Sequence, residues 1–424
     1  MISLRPVRLQ RIKIWLNNRN DFEALMKALE SFGKFHLSIV SHLPSSFEET
    51  FFIAGWIPAR SNKEFMEIVA KTTGGRCRVR VEEPKMGEDV PTLQNHNEIL
   101  KPFEKIVNSF GIPSYWEVDP TFFVAFSFAL IFGFMFADIG HGFILTLVGI
   151  TVFILHNKFK LRVRGILSYV FDNGSLLIIC GLSGILGGLL FSELFGYHVH
   201  LPIPEFTIPD PIRLSLPFRP LEKPMSMFKL SLLIGAIHIS MGLILNFFNR
   251  LLRREFRKMI YEPVCWLWLY WGLLYLVFSF KLNFEAWMKS PIFLWCLALP
   301  SALMFMGKLT TERLDGIISF IEALISTVSN TISYLRIMAL SLVHSVMSQM
   351  IISISGGHPV VVFIGALAVI ALEGLIIFIQ TTRLVWVEWF SKFYKGDGRV
   401  FKPISLKEIN VIMVKHIYRD VSLR

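Results

Sequence analysis

The chain has 424 residues, of which 53% are hydrophobic, 14% aromatic and only 18% charged, with a mean hydropathy of +0.53. That composition excludes an ordinary soluble core and indicates an integral, multi-pass membrane protein. The formal charge is +11, but the basic residues sit mainly in clusters between apolar runs, where the positive-inside rule places them, rather than in stripes on a soluble domain, so nucleic acid is not the expected partner.

Residues 1–118 read as a small α+β lobe. RLQRIKIWL alternates like a strand, and RNDFEALMKALESFGKF follows with helical spacing that ends at Gly33. ETFFIAGWIP reads as a second strand, SNKEFMEIVAKTTG as a second helix and RCRVRVEE as a third strand, and LKPFEKIVNSFG has the pattern of an amphipathic helix at the membrane entry. No cleavable signal is expected before the first apolar run.

Residues 119–424 form the transmembrane domain, in which eight spans are expected. The run 121–155, broken by ADIGHG, is read as a hairpin of two short helices. The third span covers 168–196 and is followed by a Pro-rich connector over 200–224. The fourth covers about 226–248, and the fifth and sixth roughly 263–280 and 290–307. HNKFKLRVRG and NRLLRREFRK fall on one side, which puts both loops, the lobe and the tail KFYKGDGR in the cytoplasm. A proline-free stretch allows one helix over about 312–354, ~60 Å long against a ~30 Å hydrocarbon core. Residues 360–394 repeat the pattern, so the expected architecture is mainly α, an eight-span bundle ending in two long tilted helices.

Arg336 lies in ISTVSNTISYLRIMALSLVHSVMSQM, deep within this apolar stretch. A guanidinium near the bilayer centre costs at least ~2.5–3.5 kcal/mol and does not deprotonate, so it needs a partner or a wet path. Glu322, Ser326, Ser329, Ser333 and Arg336 recur at spacings of 4, 3, 4 and 3, on one helical face. Ser341, His344 and Ser348 continue a neighbouring stripe, and the last span carries Glu373, Gln380 and Arg383. Two polar half-paths separated by a fixed positive charge suit ion translocation. The bland alternative has the serines as helix-packing residues and Glu373 neutralising Arg383. His141 and His238 read as packing histidines, Glu193 as interfacial, and Asp138 stays open, with a cap of the hairpin turn as one reading. The chain carries no GxxxxGK[ST] or HExxH motif, so no ATP site of that type, no zinc chemistry of that type and no cofactor is expected, and the scattered Cys77, Cys180, Cys265 and Cys296 imply no disulfide framework or metal site.

SNTISYLRIMALSLVHSVMS resembles the signature of the membrane-embedded a subunit of V-type ATPases, called subunit I in archaeal and bacterial A/V-type enzymes. LEGLIIFIQTTRLVWVEWFSKFYKGDGRVFKPIS, FGFMFADIGHG, FIAGWIP and ILKPFEKIVNSFGIPSYWEVDPT are similar to further family patterns in the same order. The resemblance implies a non-catalytic stator subunit that presents two ion half-channels to a proteolipid ring and contacts peripheral stalks and the other membrane-sector and central-stalk subunits. By motif, Arg336 would face the ring carboxylate, Arg383 would support it, His344 and Glu373 would belong to the outer half-channel and Glu322 to the cytoplasmic one. Ser326, Ser329, Ser333, Ser341 and Gln380 would line the half-channels. The chain departs from the family in one large respect. Members usually carry a helical stalk between two cytoplasmic lobes, whereas SHLPSSFEET here leads almost directly into FIAGWIP. A non-transporting assembly or scaffold paralogue and an independent ion transporter are the competing readings.

Overall fold

A computed structural model describes residues 6–44, 49–158, 171, 173–199, 204, 206–209, 212–280, 284–356 and 358–405. The chain divides into two units, one of residues 1–95, 111–115 and 396–424, the other of residues 96–110 and 116–395.

The first unit is built on a four-stranded antiparallel sheet, β1 (Leu9–Leu16), β2 (His36–Pro44), β3 (Glu49–Pro58) and β4 (Cys77–Glu82), in the order β2-β3-β1-β4. Helices α1 (Arg19–Phe32) and α2 (Asn62–Thr73) complete a βαββαβ, ferredoxin-like arrangement. The alternation in β1 buries Ile12, Ile14 and Leu16 against Phe22, Leu25 and Leu29 of α1 and Phe65 and Val69 of α2. Asn18 caps α1 by accepting the Asn20 N–H at 2.9 Å, and Gly33, at φ 63°, ends it in the left-handed conformation. The sequence reading anticipated β1, α1, β3, α2 and β4 and overlooked β2. β2 and β3 pair from His36↔Trp56 to Pro44↔Glu49, so only residues 45–48, outside the described set, separate their ends. Gly55 makes this hairpin possible, because a Cβ there would lie 2.3 Å from the Phe35 ring. Tail residues extend the unit, with Thr92 bridged to Val400 and Arg399 paired with Asp89.

The second unit is helical. After α3 (Lys101–Phe110) come α4 (Thr121–Met135), α5 (Ile139–Asn157), α6 (Gly174–Phe191), α7 (Pro224–Leu252), α8 (Phe256–Phe280), α9 (Pro291–Thr311), α10 (Asp315–Ser333), α11 (Leu335–Ser355) and α12 (Pro359–Arg383). Among the described residues, seven helical stretches are long and apolar enough to cross a bilayer, with α10 and α11 taken together as one stretch of 41 residues. α4 is apolar but has 15 residues, about 22 Å at 1.5 Å per residue; by length alone the expected count of eight therefore falls to seven. The basic loop expected after α5 lies mostly outside the described residues. In the connector, Phe206–Ile208 pairs with Leu214–Leu216.

Two packing rules organise this bundle. α5 and α6 meet through small residues: a Cβ on Gly181 would lie 2.3 Å from Thr146 Oγ1, and one on Gly187 would lie 2.1 Å from the Gly133 carbonyl oxygen of α4. α7 is the central helix, with 67% of its apolar window buried, against 28% for the α10–α11 stretch and 22% for α12 and its extension. The polar-striped helices therefore lie at the periphery of the chain, and Ile325, Val328, Ile332, Leu372 and Ile379 are left exposed.

Candidate functional site

The helix expected over 312–354 begins at Asp315, after a turn at Arg313 and Leu314, and is interrupted by a tight turn at Tyr334. The Tyr334 N–H bonds to the Thr331 carbonyl at 3.2 Å and the Ile337 N–H to the Tyr334 carbonyl at 2.9 Å, i→i−3 bonds that tighten the backbone just before Arg336. Packing explains the turn. Tyr334 is fully buried, its ring lies where a side chain on Gly235 of α7 would stand, 2.5 Å from that Cβ position, and its hydroxyl meets His238 Nδ1 at 2.8 Å. His238 stacks on Trp389 at 4.9 Å. The packing role expected of His238 holds.

Arg336 points its Nη2 at Glu388 Oε1, 3.5 Å away, while Nη1 is buried without a hydrogen-bond partner. Ser329, Ser333 and Arg336 line one open groove of about 940 Å³ together with Leu324, Ile325, Val328, Ile332, Leu335 and Ala339, so these three of the five counted positions share a face. Ser326 takes part differently, receiving Lys392 Nζ at 3.4 Å; the same ammonium lies 4.4 Å from the Trp266 ring centroid. Glu322 is exposed and sits 14 residues before Arg336, ~21 Å along the helix.

A second cluster surrounds His344, ~12 Å further along α11. His344 Nδ1 lies 2.6 Å from Glu373 Oε2, so the acid that could have neutralised Arg383 is instead engaged by histidine. Arg383 is exposed at the end of α12, and Gln380 keeps a buried, unpartnered Oε1. Ser341 and Ser348 are buried beside His344 on the same helix. Asp138 does cap the hairpin turn, accepting the His141 N–H at 2.9 Å, but it also accepts the N–H groups of Phe195 and Gly196 at 3.0 and 2.8 Å. His141 lies against His344, with ring centroids 5.2 Å apart. Glu193 is buried and takes the Ser345 hydroxyl at 2.9 Å.

Glu388 and Lys392 escaped the sequence reading. Glu388 lies in LVWVEW, which follows α12 as a π-helix, Leu384–Trp389. The only trace in the sequence is an acid in an otherwise apolar run, and the wider turn removes it from any 3.6-residue count.

Fold and site together define a multi-pass membrane protein that keeps an arginine, several carboxylates and histidines inside its helical bundle. The profile of the V-type ATPase 116kDa subunit family matches residues 38–213 and 313–406, and the chain belongs to that family. It is 26% identical over 377 residues to the A-type ATP synthase subunit I of Pyrococcus horikoshii, covering 85% of this chain and 54% of that protein. It is 33% identical over 242 residues to the V-type ATP synthase subunit I 2 of Treponema pallidum, covering 52% of this chain and 51% of that protein. With the subunit I of Aeropyrum pernix the match covers 97% of this chain and 64% of that protein, at 26% identity. The chain thus spans about half the length of most of these relatives.

Proposed function

We propose that this chain is the stator subunit of a V/A-type rotary ATPase and carries protons or sodium ions between two half-channels against a proteolipid ring. The observation that carries the reading is Arg336, a permanent cation on the wall of an open groove, held from behind by buried Glu388 and flanked by Ser329 and Ser333. An ion-binding carboxylate on a ring sliding along this groove would meet the guanidinium and release its ion, and the same charge would block a direct leak. Glu322 would serve the cytoplasmic half-channel, His344 and Glu373 the outer one, and Arg383 would support Arg336. Ser326, Ser341 and Gln380 complete the proposed polar lining.

In this reading α4 counts as an eighth span, both termini are cytoplasmic, and residues 1–118 make a lobe without the helical stalk. The four-residue connection between β2 and β3 supports that last point. Contact with peripheral stalks would then be confined to the membrane-proximal side, or a separate chain would supply the missing arm. The test is ATP-driven ion uptake in vesicles carrying the assembled complex: Arg336→Ala and Arg336→Gln should each abolish coupled transport with the complex intact. Normal coupled pumping in Arg336→Ala vesicles would refute the assignment.

A further inference from the structure

Asp138, His141 and His344 come from distant parts of the chain, yet each offers a ligand atom within 4.8 Å of the other two. All three are buried, at 0%, 2% and 1% exposure. Their hydrogen bonds leave lone pairs over. The 2.6 Å contact with Glu373 occupies His344 Nδ1 and leaves its Nε2 as the ring nitrogen available to a further partner. That Nε2 is buried and has no hydrogen-bond partner, and neither has His141 Nδ1, which stands 3.2 Å from Asp138 Oδ1. Asp138 uses three of its roughly four lone-pair directions on backbone N–H groups and keeps about one for a further partner. Packing alone would leave His344 Nε2 unpaired, at about 1–3 kcal/mol, and give His141 Nδ1 only the 3.2 Å contact with Asp138.

We propose that Asp138, His141 and His344 form a binding site for a divalent transition-metal cation of the Zn²⁺ type, with Glu373 as the carboxylate that orients His344. Two imidazole nitrogens and one carboxylate oxygen suit such a cation rather than Mg²⁺ or Ca²⁺, which prefer all-oxygen shells. Glu373 supplies the carboxylate–histidine hydrogen bond that fixes tautomer and ring orientation in metal sites. The two carboxylates balance the ion's charge. Tetrahedral ligand atoms about 2.0–2.1 Å from zinc stand about 3.3 Å apart, so side-chain rotations that draw the cluster in by about 1.5 Å complete the site and leave a fourth position for water. A cleft of about 270 Å³, lined by Glu193, Gly196, His198, Arg219 and Glu222, adjoins the cluster through Gly196, whose N–H binds Asp138.

The binding does not depend on the transport reading. Its consequence does: if His344 belongs to the outer half-channel, a bound metal blocks ion exchange there. The full-length chain in lipid nanodiscs, stripped with chelator and titrated with Zn²⁺, should take up one ion, and Co²⁺ in its place should show the visible bands of a tetrahedral nitrogen–oxygen site. His141→Gln and His344→Gln should each weaken binding at least ~100-fold, and Glu373→Gln about 10–100-fold, the loss typical of removing an orienting carboxylate. His36→Gln, in the lobe, should change nothing. Size-exclusion elution identifies any variant that has merely misfolded, and Asp138→Glu, which keeps the charge but moves the oxygen, supplies an independent shift in the Co²⁺ spectrum. Absence of a tight ion in the wild type, or unchanged binding in the His141→Gln/His344→Gln double variant, would overturn the site. Tight Zn²⁺ binding at these residues without inhibition of pumping would keep the site and remove His344 from the ion path.

Discussion

Glu388→Gln tests the charge balance behind Arg336. The two groups stand 3.5 Å apart, with the glutamate side chain 3% and the arginine side chain 25% exposed. At an effective dielectric of about 20 the pair attraction is about 5 kcal/mol before desolvation is counted. Removing one partner of a fully buried pair costs about 3–5 kcal/mol. The open groove lets water reach Arg336, so a discounted loss of about 2–3 kcal/mol is expected here. For a unit of this size that corresponds to a fall in Tm of about 3–5 °C, measurable by thermal unfolding of the purified chain in nanodiscs. The pairwise part comes from a double-mutant cycle with Arg336→Ala, whose coupling should exceed ~1 kcal/mol. Coupling within ~0.3 kcal/mol of zero would show that Glu388 does not hold the guanidinium.

Three further outcomes follow from local geometry. His96 lies outside the membrane-crossing helices with its side chain only 9% exposed, 2.9 Å from Glu104 and 3.4 Å from Asp119, and the Glu104 hydrogen bond chiefly raises its pKa above the ordinary value of 6.5. Its contribution to stability is therefore fully present below pH 6.5 and lost as pH rises through the raised value; pH-dependent unfolding should show this decline, and His96→Gln should flatten it. Gly187→Val should destabilise the α4–α6 contact by at least about 1–3 kcal/mol, because its Cβ meets backbone rather than a movable side chain; an unchanged Tm would contradict the close approach. In the lobe, Gly55→Val should disrupt the β2–β3 hairpin over Phe35, read as lost amide-exchange protection in residues 36–44 and 49–58.

The sequence by itself determined whatever depends on spacing along one element. Hydrophobic run lengths marked the membrane helices, period-two alternation marked β1, and the 3.6-residue count placed Ser329, Ser333 and Arg336 on one face, where the groove has them. β2 escaped because residues 36–41 fully bury no side chain and HLSIVSHLP mixes polar residues into its alternation, so its strand conformation is imposed by pairing with β3. The count also failed across Leu384–Trp389, where a π-helix rotates Glu388 inward under Arg336. Tertiary structure alone decided which polar groups meet. Nothing local relates His344 to Glu373, or Asp138 and His141 to His344; the first contact comes from packing of α11 on α12, and the second joins α11 to the hairpin turn that glycine-mediated packing of α4, α5 and α6 holds. Local patterns report which face of a helix is polar, whereas the partner of a buried charge depends on how close neighbouring backbones can come, and that is fixed by side chains elsewhere in the chain.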